Sequence, residues 1–147
     1  MLEVVLLLPV LVIATFSFFV LGPTVAVRQT VQHAAEETAR EVAKSTGSQT
    51  TLGVTSQVIE QVLSVHGLDL DTPGVLVIVE QFDDVQSLGD ESVTDIPITS
   101  SVTQPEQVIV TLLVTTDSAP IPNVLRSMNF EISGRTISHR ATAFRDL

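Results

Sequence analysis

The stretch that decides the architecture is Glu3-Val4-Val5-Leu6-Leu7-Leu8-Pro9-Val10-Leu11-Val12-Ile13-Ala14-Thr15-Phe16-Ser17-Phe18-Phe19-Val20-Leu21-Gly22-Pro23-Thr24-Val25-Ala26-Val27. After Glu3, no charged side chain appears until Arg28. As a helix, residues 4–27 extend about 36 Å, enough to cross a ~30 Å hydrocarbon core with some tilt. A cleavable secretory signal fits less well. No basic residue precedes the run, the run exceeds the usual apolar length of such signals, and no small-x-small site stands ahead of Arg28. The segment therefore reads as a transmembrane helix over residues 1–27. Glu3 places a carboxylate at its edge, Pro9 removes a backbone donor and predicts a kink, and Gly22-Pro23 predicts a second bend near the other end.

Working outward, residues 28–46 read as a continuation of the same helix beyond the membrane. Val27, Val31, Ala34, Ala35, Thr38 and Val42 recur at helical spacing on one face. Gln29, Gln32, His33, Glu36, Glu37, Arg40, Glu41 and Lys44 cover the rest. Glu36 stands four residues before Arg40, the favourable order for a helical ion pair worth about 0.2–0.5 kcal/mol. The stripe is built from small residues and suits close packing against another helix or against a thin globular head. Ser45-Thr46-Gly47-Ser48 is the expected stop, with Gly47 fitted to the left-handed cap.

Residues 47–147 form the head. A second helix is expected from about Leu52 to Val65, with Thr55, Val58, Ile59, Val62 and Leu63 on one face and His66-Gly67 closing it. Asp71-Thr72-Pro73-Gly74 is a turn. Gly74 to Gln81 and Gln107 to Thr115 read as strands rich in β-branched residues, and Arg135 to Phe144 as a third. Residues 83–105 read as a long polar connection, and Pro120-Ile121-Pro122 leads into a short helical segment at Asn123 to Met128. The fold class is α+β: a long N-terminal transmembrane and stalk helix, a second helix and a small three-stranded antiparallel sheet.

Composition narrows the function classes. The chain has 147 residues and no cysteine, so disulfides, thiolate metal sites and a cysteine nucleophile are all excluded. Trp and Tyr are absent, which removes the usual stacking platforms for sugars and single strands. A net charge of −10 argues against a nucleic-acid partner. The basic residues fall in two patches, Arg28, Arg40 and Lys44, then Arg126, Arg135, Arg140 and Arg145. That asymmetry either orients subunits against one another or leaves a solvated acidic face between the patches. His33, His66 and His139 lie in different elements, and no nucleophile elbow or glycine-rich phosphate loop occurs, so no catalysis and no cofactor is expected. Calcium is the remaining ligand to weigh. Asp69, Asp71, Asp83, Asp84, Asp90, Glu91 and Asp95 are hard oxygen donors in or near loops, although they do not meet the EF-hand pattern.

Two blocks of the chain resemble a known family. Glu3-Val4-Val5-Leu6-Leu7-Leu8-Pro9 is similar to the E-F-A-L-V-L-P opening of TadE-like proteins. Val27-Arg28-Gln29-Thr30-Val31-Gln32-His33-Ala34-Ala35-Glu36-Glu37-Thr38-Ala39-Arg40 resembles their A-R-Q-A-L-Q-N-A-A-R-E-A-A-R stretch, at a matching separation. Ser138-His139-Arg140-Ala141-Thr142-Ala143-Phe144-Arg145 is a weaker likeness near the end, and the middle of the chain carries none. The resemblance implies a pilin-like pseudopilin or minor pilin of a Tad-type pilus. Its leader is removed by a prepilin peptidase, and its helix packs with those of other pilin subunits. Glu3 then compensates a neighbouring subunit's terminal amine, and the assembly residues are Glu3, Pro9, Val27, Val31, Ala34, Ala35, Thr38 and Val42. The implied location is the bacterial inner membrane, with the head outside the cytoplasm, or the extracellular pilus.

Two features depart from the family pattern. The glutamate stands third here and fifth in the mature family members, so either Met1 is an internal start or processing differs. Positive charge follows the span and does not precede it, which by itself places the head in the cytoplasm. The implied orientation requires a short basic leader upstream of Met1. Two alternatives carry different functions: a major pilus subunit with an enlarged head, and a membrane-anchored envelope module that binds a ligand such as calcium.

Overall fold

The computed structural model describes residues 2–45, 50–94, 100–119 and 134–145, with side chains in the first helix from residue 7 onward except residue 20. Helix α1 runs without a break from Leu2 to Lys44 and contains both Pro9 and Pro23. Its apolar half keeps hydroxyls satisfied locally: Thr15 donates to the Leu11 carbonyl and Ser17 to the Ile13 carbonyl, each at 2.8 Å. Such back-bonding lets a hydroxyl sit on an apolar helix without an unpaired donor.

Helix α2, Thr51–Leu63, returns antiparallel along α1. Thr50 caps it by accepting from the Gly53 amide. A single 3₁₀ turn, Ser64–His66, extends it, and Gly67 closes that turn in the left-handed conformation at φ 68°. The expected end at His66-Gly67 is therefore observed. The stop expected at Gly47 and the segment Asn123 to Met128 lie outside the described residues.

The sheet contains four antiparallel strands, not the three expected: β1 Val75–Gln81, β2 Asp84–Gly89, β3 Gln107–Thr115 and β4 Thr136–Phe144, in the order β2-β1-β3-β4. The added strand is β2, which occupies part of the segment read as connection. It pairs with β1 from Gln81↔Asp84 to Leu76↔Gly89, leaving Phe82-Asp83 as a two-residue turn. Asp83 takes φ 61°, a left-handed conformation that a short polar side chain tolerates. Strand β2 was hidden because it is an edge strand whose residues are half-buried or exposed, so its sequence lacks a sustained apolar face.

One face of the sheet, formed by Val75, Val77 and Val79 of β1, Val108, Val110, Leu112 and Val114 of β3 and Ala141 of β4, builds the core against α1 and α2. Helix α1 contributes Val27, Val31, Ala34, Ala35, Ala39, Val42 and Ala43 to that core, and α2 contributes Val54, Ile59 and Leu63. The opposite face also buries Leu76, Ile109 and Glu80. Glu80 accepts from Arg140 at 3.2 and 3.3 Å and from the Ser101 amide at 2.8 Å and hydroxyl at 2.7 Å. A buried carboxylate without such partners is costly. Here it joins β1 to β4 across β3 and pins the segment at Ser101 onto the sheet.

Candidate functional site

Helix α1 has two halves with opposite surroundings. Before Ala26 the large apolar side chains among its described residues are exposed, Leu11 at 68% and Phe18 at 75% among them. From Val27 onward one broad arc is buried in the head. It is the one helix among the described residues long and apolar enough to cross a membrane. An exposed apolar surface of this extent requires a non-aqueous partner, either lipid or other helices.

Glu3 and Pro9 lie on the same continuous helix. The side chain of Glu3 falls outside the described residues. The six other residues assigned to assembly, Val27, Val31, Ala34, Ala35, Thr38 and Val42, are all buried inside the chain's own head. Of the two partners the stripe suits, it has the globular head. The reason is geometric: α1 is wedged between α2 on one side and β3 and β4 on the other. Ala39 and Ala43 are therefore buried as well, and the covered arc is wider than the spacing suggested. The apolar part of α1 that the head leaves uncovered is the half before Val27.

The expected ion pair between Glu36 and Arg40 is replaced. Arg40 pairs with Glu37 at 3.5 Å, and Glu36 lies 3.8 Å from Nε2 of His139 on β4. Glu36, Arg40, His139 and Arg140 line an open cleft of about 430 Å³ on that side. It mixes both signs of charge, and Arg140 is committed to Glu80.

The acidic candidates for calcium are occupied with local structure. Asp69 accepts from the Thr72 hydroxyl at 2.7 Å, Asp84 from the side-chain Nε2 of Gln86 at 2.7 Å and Glu91 from the Ser87 hydroxyl at 2.6 Å. Asp90 caps the 3₁₀ turn Glu91–Val93 and also accepts from the Gly74 amide at 2.8 Å. Hydrogen bonds from the Ser92 hydroxyl, then the Gly74 and Ser92 amides, hold its carboxyl below the ordinary carboxylate range. Asp71 and Asp83 are exposed. Asp95 lies outside the described residues. Among the described residues, no three acidic or histidine side chains gather as a metal site would require.

A second cleft, of about 560 Å³, lies where α1 leaves its apolar half. Ala26, Gln29, Thr30 and His33 form one wall, and Gln61, Val62, Val65 and His66 form the other. Thr30 Oγ1 donates to the Ala26 carbonyl at 3.0 Å, which spends its hydrogen. Its oxygen then accepts from Nε2–H of His66 at 2.7 Å, tying the end of α2 to α1. Sequence reasoning placed His66 at a helix end but could not pair it with Thr30, because 36 residues separate them.

Comparison of the chain with family models, with curated proteins and with solved structures gives no match in any of the three.

Proposed function

We propose that the chain is a non-catalytic TadE-like pseudopilin or minor pilin that assembles through its N-terminal helix into a Tad-type pilus or its base. The observation that carries the reading is the division of α1. One unbroken helix offers an exposed apolar half and buries its other half in an α+β head. That is what a subunit needs if it waits in a bilayer and later packs helix against helix while its head stays folded. The resemblance of residues 3–9 and 27–40 to the family supports the same conclusion. On this reading Glu3 meets a neighbouring subunit's terminal amine, since an unpaired carboxylate in lipid is costly. The head then lies outside the cytoplasm, and a prepilin peptidase acts on the precursor. The large head favours a minor or priming role over that of the main repeating subunit.

The test is Glu3→Gln in the full gene product, expressed with the other pilus components. The variant should remain in the membrane with a folded head but disappear from complexes with other pilin subunits. Equal recovery of variant and parent in those complexes would remove Glu3 from assembly. A parent protein that is never shortened at its N-terminus and never co-purifies with pilus components would defeat the whole proposal, leaving a plain membrane-anchored module. Abundance in sheared filaments separates a major from a minor subunit.

A further inference from the structure

The two outer strands of the sheet, β2 and β4, have open edges of opposite charge. Each pairs on one side only. The Thr116 amide donates to the Arg135 carbonyl and the Arg145 amide to the Glu106 carbonyl, which sets the alternation along β4. Ile137, His139, Ala141 and Ala143 bond β3, so Thr136, Ser138, Arg140, Thr142 and Phe144 aim their backbone groups outward. On the other edge the Asp90 amide donates to the Val75 carbonyl. Asp84, Gln86 and Leu88 therefore bond β1, while Val85, Ser87 and Gly89 aim outward. Among the described residues no hydrogen bond is made to either outward backbone row. Strand β4 and its flanks carry Arg135, His139, Arg140 and Arg145, whereas β2 and its flanks carry Asp83, Asp84, Asp90 and Glu91. The cleft of about 430 Å³ follows the β4 edge. Five consecutive residues, His139 to Ala143, line it from both faces of the strand, and Glu36 and Arg40 of α1 form its other wall. Five residues of strand extend about 17 Å. This groove sets unpaired backbone groups beside an exposed guanidinium, a setting in which an added strand is recognised.

A second copy of the chain supplies the matching strand. In this all-antiparallel order β2 and β4 run in opposite directions, so a copy in the same orientation lays its β2 antiparallel to β4. The outward residues of both edges lie on the sheet face away from α1, as residues that exchange hydrogen bonds across an antiparallel junction must. Setting Ser138 opposite Ser87 of the next copy aligns the whole of β2 with Thr136 to Ala141. Thr136 then faces Gly89, and Arg140 faces Val85. On the helix side Asp84 comes beside Ala141, next to Arg40 across the cleft. Arg40 is free to turn to it, because its side chain is 66% exposed and pairs within its own helix with Glu37 at 3.5 Å. Pairing like edges is disfavoured twice. It opposes the cations of β4, or the anions of β2, to their own copies. In antiparallel form it also turns one copy end for end, directing its apolar half away from the bilayer that holds the other. We propose that the heads associate side by side, β2 of one copy adding to β4 of the next, so that copies anchored in one membrane form a head-to-tail row. Such a heterologous contact leaves one edge open at each end and can extend. It lies wholly in the head, goes beyond the helix-mediated assembly proposed above, and neither stands nor falls with it.

The absence of cysteine permits a clean cross-linking test on the full chain. One preparation carries Ser138→Cys, the other Ser87→Cys, and the two are mixed in phosphatidylcholine vesicles and oxidised. A hydrogen-bonded antiparallel pair places its Cα atoms about 5.5 Å apart, within the reach of a disulfide. The mixed dimer joining Ser138→Cys to Ser87→Cys should exceed both like-site dimers severalfold. Arg40→Glu in the first preparation, or Asp84→Arg in the second, should lower the mixed product severalfold, and the two together should restore it. Both side chains are exposed, so the restored product also shows that the variants fold. A mixed product no more abundant than the like-site ones overturns the inference. A mixed product that ignores both single changes, or is lost in each and not restored in their combination, overturns the pairing of Arg40 with Asp84 and the register built on it.

Discussion

Val31→Ala separates the two partners that the small-residue stripe of α1 suits. Val31 is fully buried in the core shared by α1, α2 and the sheet. Truncation removes two methyl-sized groups, about 1.6 kcal/mol of transfer free energy at ~0.8 kcal/mol each. The surrounding strands and helices relax only partly, so the residual cavity raises the loss to about 2–3 kcal/mol. In a head of roughly a hundred residues this lowers the melting temperature by about 10–20 °C. The chain has no Trp or Tyr, so intrinsic fluorescence reports little. Far-UV circular dichroism and amide exchange of β1 and β3 in nanodiscs are the suitable readouts. Ile13→Ala, in the exposed apolar half, is the matched control and should leave head protection unchanged. If Val31→Ala left β1 and β3 fully protected and weakened only association with other subunits, the stripe would belong to an intermolecular surface and the packing argument would be wrong.

Three further outcomes are expected. Gly67→Ala, at φ 68° in open space, should cost only the left-handed penalty of about 1–2 kcal/mol, whereas Gly89→Ala should cost about 3 kcal/mol or more, both read by chemical denaturation. The difference arises because a Cβ at Gly89 would lie 2.3 Å from the Val75 carbonyl oxygen, backbone that already accepts the Asp90 amide; equal costs would contradict that geometry. Asp90 has a lowered folded-state pKa, so its contribution is present above the ordinary carboxylate range and is lost as pH falls through the lowered value. Stability of Asp90→Asn should therefore depend less on pH on the acid side than that of the parent, and parallel acid profiles would count against the capping role. A fragment of residues 25–147 should fold in mild detergent with exchange-protected strands, while residues 45–147 should not, because the latter lacks every α1 side chain of the core.

How much of this was legible in the sequence depends on how local the determinants are. The apolar run, the continuous helix, α2 and three strands follow from periodicity over neighbouring residues, and the structure contains them. Strand β2 could not be read that way: Asp84, Gln86 and Leu88 share one face with a single large apolar side chain, as suits a half-covered edge. Spacing on α1 identified a buried stripe but not its partner, since burial against one's own sheet and burial against a neighbouring helix select the same small residues. The pairing of Glu36 with His139, and the closing of a cleft by Thr30 and His66, depend on contacts between distant parts of the chain that no local pattern encodes.

The shared helix has a mechanical consequence. A head joined to its anchor by a flexible linker could reorient freely while the anchor stayed in the bilayer. Here the anchor's continuation is the centre of the head's core, so swivelling would uncover Val27, Val31, Ala34, Ala35, Ala39 and Val42 together. With each buried valine contributing on the order of 1.5 kcal/mol or more, that motion competes with unfolding itself. Anchor and head therefore move as one body up to the end of the core near Val27, and any bending must occur below it. Gly22-Pro23 lies in that interval, where proline removes a helical hydrogen bond and glycine presents no side chain to resist curvature. On the proposed pilin reading, helix packing between subunits falls to the exposed apolar segment before Val27, and the orientation of each head follows from how that segment is held.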